Sequence, residues 1–268
     1  MRLASTAFAL LSAGAWAAPI EEVPFVVTPD NVTIAMLQLA KVGPEDYVID
    51  LGSGDGRIVI TAAKRFGARG LGIEIDPRLV AKSREAASNM GVAQRAHFRE
   101  QDLFQADLSP ASVVTMYLLP DVNLQLRPRL LQLRPGTRLV SHDWDLGDWE
   151  PDRTVTLDVP DKSVGREKSS KVHLWIVPAR VEGMWCGVGK WKGKSLAIRQ
   201  AFQKFHGTLA EADGTREFDG RITGEVLRAP PALTFTHDGA RLKATYTTGK
   251  YSALRGATFA RSRGPICK

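Results

Sequence analysis

A glycine-rich acidic segment starting at residue 50 has the residue types of a loop that holds a cofactor. Asp50 and Leu51 are followed by Gly52, Ser53, Gly54, Asp55 and Gly56. Glycine lets a backbone turn tightly and approach a ligand closely, because it has no Cβ. A dinucleotide fingerprint would place its third glycine one residue later. The carboxylates of Asp50 and Asp55 also suit a cofactor with a positive centre better than one with a pyrophosphate.

Two further carboxylates follow at the ends of the next predicted strands. Glu74 comes 22 residues after Gly52, where a carboxylate can accept hydrogen bonds from both ribose hydroxyls. Asp102 follows the third predicted strand and is placed to accept an exocyclic amine, with Leu103 or Phe104 beside the ring. The spacing therefore predicts a nucleoside pocket built by three successive strand ends.

Alternating strands and helices must position these side chains. Apolar runs predict strands at 47–51, 70–74, 96–100, 112–119 and 137–142, with helices at 31–41, 58–66, 77–90 and 123–133 and a final antiparallel strand pair at 155–159 and 172–177. Asp76-Pro77 starts the third helix and Gly91 follows its end. This order predicts an α/β fold, a Rossmann-like, doubly wound and mostly parallel sheet.

The pattern changes after Pro178. Short alternating strands, separated by turns such as Asp213-Gly214 and Asp238-Gly239, predict a small antiparallel sandwich or barrel. We therefore expect three segments: a signal peptide at 1–18, a catalytic domain at 22–179 and a β-rich domain at 180–268.

The glycine loop and the two later acids resemble, in their order, the class I S-adenosylmethionine-dependent methyltransferases. The resemblance covers roughly residues 22–178. It implies S-adenosyl-L-methionine as the cofactor, bound by the loop residues 50 and 52–56 together with Glu74, Asp76, Asp102 and Leu103.

A closer resemblance lies on both sides of that loop. Residues 23–29, 113–123 and 133–142 are similar to the lysine methyltransferases that modify mitochondrial ATP synthase c-subunit and the adenine nucleotide translocase, and to their prokaryotic relatives. This resemblance implies that Thr28 and Pro29 pack over the cofactor and that the stretch from Tyr117 to Pro120 lines the acceptor pocket. It favours a protein lysine as the methyl acceptor. A small-molecule acceptor and a non-catalytic cofactor-binding protein remain the alternatives.

Methyl transfer to an amine needs alignment, desolvation and a deprotonated acceptor. Tyr117 could orient the amine, and His142 or Asp143 at the next strand end could take a proton. These three residues are the predicted catalytic set.

The N-terminus and the cysteines indicate the cellular compartment in which the protein is located. One positive charge, about eleven apolar residues and Ala15-Trp16-Ala17 form the layout of a secretory signal, so we expect an exported or periplasmic protein, or an anchored one if the signal stays. Cys186 and Cys267 could close a loop of roughly 80 residues in an oxidising compartment. Two free cysteines remain the alternative, and two cysteines exclude a four-cysteine zinc site.

The net charge of +7 is unevenly distributed. Residues 1–179 hold 20 Lys and Arg against 22 Asp and Glu, whereas residues 180–268 hold 16 against 7. No basic stripe with interleaved aromatics accompanies this excess, which argues against a nucleic-acid partner. The charge instead predicts that the β-rich domain meets an acidic partner or an anionic membrane surface.

Overall fold

The computed structural model describes residues 26–162, 167–264, 266 and 267, so the predicted signal peptide lies outside the described residues. The first unit is a seven-stranded sheet with four helices. Its elements are α1 (Asp30–Leu39), β1 (Tyr47–Leu51), α2 (Arg57–Phe66), β2 (Arg69–Glu74), α3 (Pro77–Asn89), β3 (Ala96–Glu100), β4 (Val113–Met116), α4 (Pro120–Leu130), β5 (Arg138–His142), β6 (Arg153–Asp158) and β7 (Ser169–Ile176).

The strand order of this sheet is β3-β2-β1-β4-β5-β7-β6. Strands β1 to β5 are parallel, and β7 runs antiparallel to both β5 and β6. The predicted Rossmann-like fold is thereby confirmed. The order reverses between β1 and β4, and in such sheets ligands bind outside the carboxyl ends of the strands at this switch point.

The fourth strand is shorter than predicted. It ends at Met116 instead of residue 119, and α4 starts at Pro120 instead of residue 123. Proline favours the first turn of a helix and keeps the preceding residue extended. Residues 117–119 therefore leave the sheet at its carboxyl edge, which frees the Tyr117 side chain to face the site.

Each face of the sheet has its own apolar core. Helices α1 and α2 pack on one face, against Val48, Val113 and Val140. On the other face α4 packs with two fully buried tryptophans, and the Trp175 indole donates a 2.7 Å hydrogen bond to the carbonyl oxygen of Trp149.

The second unit is a closed barrel of eight antiparallel strands. Its strands are β8 (Gly183–Gly187), β9 (Ser195–Ala201), β10 (Lys204–Glu211), β11 (Gly214–Thr223), β12 (Val226–Ala229), β13 (Leu233–His237), β14 (Arg241–Thr247) and β15 (Thr258–Arg261). Each strand pairs with the next in sequence, and β15 pairs with β8 to close the ring. Of the two predicted architectures, the barrel is the one that forms.

Aromatic side chains fill the barrel interior. Gly207 on β10 lies opposite Phe218 on β11, and Phe205 lies opposite Gly220. A Cβ atom at Gly207 or Gly220 would come within 2.5 Å of the facing phenyl ring. The two glycines make room for the two rings, so the described interior is a packed core.

A disulfide joins Cys186 on β8 to Cys267 beyond β15. It closes a loop with a sequence separation of 81 residues, as one of the two alternatives predicted. Among the residues described here, no helix has the length and apolarity that a bilayer crossing requires.

The barrel is docked on the first unit through the β9–β10 turn. The Phe202 ring stacks on Trp149 at 5.9 Å between centroids, with an interplanar angle of 10°. Next to it, the Gln203 side-chain amide donates a 2.6 Å hydrogen bond to the Glu150 carbonyl oxygen. Ion pairs join Lys204 to Glu150 at 2.8 Å and Arg221 to Asp152 at 3.2 Å. The two units therefore share a packed, charged interface.

Candidate active site

The glycine loop is held close to β2 by its backbone. The Gly52 and Ser53 N–H groups both donate to the Ile73 carbonyl oxygen, at 2.9 and 3.0 Å. Gly56 has a φ of +79° and caps α2. A Cβ atom there would lie 2.6 Å from the Phe98 ring. Both the left-handed conformation and this close approach require glycine.

Asp50 lies at the carboxyl end of β1 and is only 2% exposed. Its Oδ1 accepts a 2.7 Å hydrogen bond from the Thr115 hydroxyl on β4. Burial raises the pKa of this carboxyl to about 7, although the Thr115 bond works in the opposite direction. A cationic ligand beside Asp50 would favour the ionised form.

Glu74 ends β2 and binds the loop. Its Oε2 accepts the Gly54 N–H at 2.9 Å, and its Oε1 accepts the Ile75 and Asp76 N–H groups at 2.7 and 3.0 Å. A carboxylate has about four acceptor positions. One of them, on Oε2, is left for a ligand hydroxyl.

Asp102 follows β3 on the same edge of the sheet. Its Oδ1 accepts the Phe104 N–H at 2.8 Å, and Leu103 beside it packs partly against the core. The structure thus brings Asp50, Glu74 and Asp102 to the carboxyl ends of three neighbouring parallel strands. Their binding of a cofactor stays a prediction.

The carboxylates of Asp55 and Asp76 have other partners. Asp76 accepts the Arg78 N–H at 2.8 Å as the cap of α3. Asp55 accepts two hydrogen bonds from the Arg57 guanidinium, at 2.9 and 2.7 Å. These side chains stabilise helix starts, and direct cofactor contact by either of them stays a prediction.

Arg57 also reaches the segment before α1. Its Nη1 donates a 2.9 Å hydrogen bond to the Thr28 carbonyl oxygen. The Thr28 hydroxyl in turn lies 3.4 Å from His142 Nδ1. We call these contacts the Asp55–Arg57–Thr28 latch. The latch holds the segment before α1 across the glycine loop.

A cavity of about 200 Å³ lies at the ends of β4 and β5, on the same edge of the sheet as the glycine loop. Its lining residues are Val26, Val27, Pro29, Tyr117, His142, Asp161 and Lys162. The Tyr117 and His142 rings are 3.9 Å apart between centroids. The structure therefore brings together two of the three predicted catalytic residues with Pro29, and the third, Asp143, lies directly behind them.

His142 is buried and engaged at both ring nitrogens. Nδ1 lies near Thr28, and Nε2 lies 2.9 Å from the Ser170 hydroxyl. Burial lowers its pKa to about 4, in spite of the nearby Asp143 carboxylate. An imidazole with this pKa is neutral at pH 7 and is a weak base. We therefore expect His142 to orient Tyr117 rather than to accept a proton.

Asp143 has an unusual backbone. Its φ of +61° lies in the left-handed region, which is uncommon for residues other than glycine. Oδ1 accepts the Lys171 N–H at 2.9 Å, while Oδ2 lies 2.7 Å from Lys162 Nζ and 3.4 Å from His142 Nε2. The carboxylate is thereby fixed at both oxygens.

Sequence reasoning missed three residues of this site. Arg57 could have been found, because it follows Asp55 by two positions at a helix start, as Arg78 follows Asp76. Thr115 lies inside an apolar strand run and Lys162 in the connection between β6 and β7, where no motif marks them. The strand register shows what Thr115 contacts, and the fold of the β6–β7 connection shows what Lys162 contacts.

The described residues fit S-adenosylmethionine. The loop offers a close backbone approach, Asp50 offers a buried carboxylate for a cationic group, and Glu74 and Asp102 lie where a nucleoside would extend. No group of histidine, cysteine, aspartate and glutamate side chains within the described ranges could hold a metal ion.

Comparisons with known proteins agree with this geometry. A family model described as the ANTKMT methyltransferase domain matches residues 50–153. A protein-lysine N-methyltransferase from Saccharolobus islandicus is 44% identical over 144 residues, which is 52% of this chain and 88% of that protein. The lysine N-methyltransferase of the ATP synthase c-subunit from Mus musculus is 39% identical over 109 residues, 40% of this chain and 44% of the mouse protein.

A solved structure from Salinibacter ruber, described as an RNA methyltransferase in complex with S-adenosyl-L-homocysteine, is 54% identical with a TM-score of 0.53. The match covers 58% of this chain and 96% of that one. S-Adenosylhomocysteine is the demethylated form of the cofactor. The matches support the predicted cofactor and enzyme class, and the chain belongs to the ANTKMT-type family of class I S-adenosylmethionine-dependent methyltransferases.

Proposed function

We propose that this methyltransferase modifies lysine amines of a protein. The observation that carries the proposal is the narrow cavity at Tyr117 and His142, beside the cofactor loop, in a chain that spans most of the Saccharolobus lysine methyltransferase. The chain spans only about half of the mouse and rat relatives it matches, so their substrates give weaker support.

S-Adenosylmethionine supplies an electrophilic methyl group, which passes to the amine lone pair while a neutral thioether leaves. The chain aligns the amine through Tyr117 and excludes water with Val26, Val27 and Pro29. A lysine chain is long and thin. It can reach the base of a cavity of about 200 Å³ from a protein surface outside.

An RNA acceptor is the second candidate, because the Salinibacter relative is described as an RNA methyltransferase. A nucleobase would have to leave its stack and enter the same cavity. We favour lysine because the cavity is small and the first unit has a slight excess of acidic residues over basic ones.

The first experiment measures cofactor binding by titration calorimetry, with Asp50→Ala and Glu74→Ala as controls. We expect a clear heat for the wild type and its loss in both variants. The absence of heat and of any thermal shift at millimolar cofactor in the wild type would falsify the methyltransferase assignment.

The second experiment compares acceptors. The wild type and Tyr117→Ala are incubated with radiolabelled cofactor and either a lysine-containing protein mixture or total RNA. Mass spectrometry then locates the methyl groups. Lysine methylation that Tyr117→Ala abolishes supports the proposal, whereas label confined to RNA replaces it with the second candidate.

We also propose that the protein is exported. The disulfide is the supporting observation, since such bonds persist in oxidising compartments. N-terminal sequencing of the mature protein tests this. A start after Ala17 or Ala18 supports export by a cleaved signal, whereas an intact Met1 in membrane fractions supports an anchored protein.

We propose further that the barrel binds an anionic membrane surface with the end opposite the Phe202 turn. Because the strands alternate in direction, the β8–β9 and β14–β15 connections lie at that end. They carry exposed Lys190, Lys192, Lys250 and Arg255, with Val188 38% exposed beside them. Co-sedimentation with vesicles of anionic or zwitterionic lipid tests this.

The variant Lys190→Glu/Lys192→Glu/Lys250→Glu should lose salt-sensitive binding to anionic vesicles. The control Arg228→Glu/Lys243→Glu, on the barrel wall, should retain it. Equal binding by wild type and triple variant contradicts the proposed surface. Binding to an acidic protein but not to vesicles points to the other partner class.

A further inference from the structure

Lys162 brings a cation into the wall of the cavity that receives the methyl acceptor. Its side chain is 13% exposed. The ammonium donates 2.7 Å hydrogen bonds to Asp143 Oδ2 and to the Ser169 carbonyl oxygen. Burying an ammonium is costly unless it is paired, and these two partners offset that cost.

The partner carboxylate has little freedom to move. Asp143 Oδ1 accepts the Lys171 N–H, and the left-handed backbone of residue 143 directs the side chain behind His142. Without Lys162, a fixed and partly buried carboxylate would stand beside the cavity.

An unpaired carboxylate at this point would oppose the reaction. It would stabilise the ammonium form of an entering amine, which has no lone pair to offer. The other groups that face Asp143 cannot cancel its charge in the same way. His142 is neutral at pH 7, the Tyr117 phenol is uncharged, and the Lys171 side chain and Asp161 are exposed. His173, inside β7, contacts Asp143 only through the Asp143 backbone, and burial lowers its pKa, while Asp145 lies in the connection after β5.

We propose that Lys162 is a positioning residue that neutralises the Asp143 carboxylate at the cavity wall, so that the acceptor amine meets no unpaired anion and stays unprotonated. This inference rests on the proposed amine acceptor. The amine releases its proton to bulk water on entry, and its lone pair then forms the N–C bond as the S–C bond breaks. The positive charge moves from sulfur to nitrogen, so atoms and charge balance.

The pH profile of methylation tests the inference. Lys162→Met and Lys162→Gln are compared with Lys162→Arg, which keeps the charge, on a peptide with a single lysine. In the two neutral variants the apparent pKa of kcat, which reports groups in the enzyme–substrate complex, should rise by about one unit, and Lys162→Arg should restore the wild-type profile. Adding Asp143→Asn to Lys162→Met should return the profile toward wild type. An unchanged profile in both neutral variants overturns the inference.

A second readout needs neither cofactor nor acceptor. Nuclear magnetic resonance follows the His142 ring through a pH titration, assigned with His142→Gln. The Lys162 charge lowers the pKa of His142 and the Asp143 charge raises it. Lys162→Met should therefore raise this pKa, whereas Lys162→Arg should leave it unchanged. If the pKa of His142 is the same in the wild type and in Lys162→Met, the proposed pairing is wrong. This result stands even if the wild type methylates no acceptor, which would be a separate failure of the proposed function.

Methylated Lys162 in the wild type would make Lys162 itself an acceptor and would also overturn the inference.

Discussion

At Asp50 the stability of the fold and the binding of the cofactor make opposite demands. The carboxyl is buried at the end of β1, and its pKa is raised to about 7. Removing a buried charge stabilises a fold, but a cationic ligand requires that charge. Functional sites often carry such a cost.

Asp50→Asn should separate the two demands. A carboxyl whose pKa is higher in the folded state stabilises the fold most below its unfolded pKa, and this contribution is lost as the pH rises through about 7. At pH 5 the folded carboxyl is neutral but the unfolded one is already ionised, so Asp50→Asn should melt somewhat higher than the wild type, by less than at pH 8. At pH 8 the variant should melt several degrees higher without cofactor and bind cofactor at least about tenfold more weakly.

Scanning calorimetry and titration calorimetry check this prediction, with the exposed Asp121→Asn as the control. A melting difference that is the same at pH 5 and pH 8 would show that Asp50 does not titrate in this range.

Tyr117 offers two different contributions, a ring that packs against the tilted His142 ring and a hydroxyl. Tyr117→Phe keeps the ring contact and removes the hydroxyl. If the hydroxyl orients the acceptor, kcat should fall about tenfold while the cofactor Kd stays within about twofold, since one hydrogen bond is worth roughly 1.4 kcal/mol. Steady-state kinetics beside calorimetry checks this. An unchanged kcat in Tyr117→Phe, with a fall only in Tyr117→Ala, assigns the role to the ring.

Many residues of the candidate site could be predicted from the sequence, because the strand ends of a parallel sheet meet at one edge. The positions of Asp50, Glu74 and Asp102 follow from that rule alone. The roles of Asp55 and His142 could not be predicted. They depend on which neighbour reaches them, the Arg57 guanidinium in one case and the Thr28 and Ser170 hydroxyls in the other.

Between elements, the Asp55–Arg57–Thr28 latch joins the start of α2 to the segment before α1. Arg57→Met removes three hydrogen bonds and frees that segment from the loop. Cofactor affinity should fall about tenfold, and amide exchange at residues 26–29 should accelerate. Arg78→Met is the matched control, because Arg78 has the same spacing from Asp76 at the start of α3 but is 83% exposed. Equal losses of affinity in the two variants contradict a special role of the latch.

Element prediction succeeded in the first sheet and failed for half of the barrel strands. All seven strands of the first sheet were expected near their observed positions, and among the parallel ones β1 and β4 are buried, largely apolar runs. In the barrel, β8, β10, β12 and β13 were missed, and β10 shows one reason. Its inward positions read Phe205, Gly207 and Leu209, and the phenyl ring that fills the gap at Gly207 comes from the next strand.

At the scale of the whole molecule, we expect Phe202 to make the two units unfold together. Its ring stacks on Trp149, and the Arg127 guanidinium lies 5.5 Å from its centroid. Phe202→Ala should cost about 1–3 kcal/mol, below the range for a fully buried phenylalanine because the ring is half-buried. We expect a single calorimetric transition in the wild type and two separated ones in the variant.

Tyr246→Ala is the control for this experiment, since Tyr246 is a barrel aromatic that is 54% exposed. A single, unshifted transition in Phe202→Ala would show that the ion pairs of Lys204 and Arg221 suffice to couple the units. Because Phe202 covers Trp149, deleting residues 180–268 would expose Trp149. Substitutions on the barrel surface therefore test what the barrel binds without exposing the core of the first unit.

The Cys186–Cys267 bond spans nearly the whole strand circuit of the barrel. A protease that cuts any connection from β8–β9 to β14–β15 therefore leaves two fragments that are still covalently joined. The first and last strands also stay hydrogen-bonded beside that bond. A nicked barrel would therefore keep its two fragments together and stay attached to the first unit.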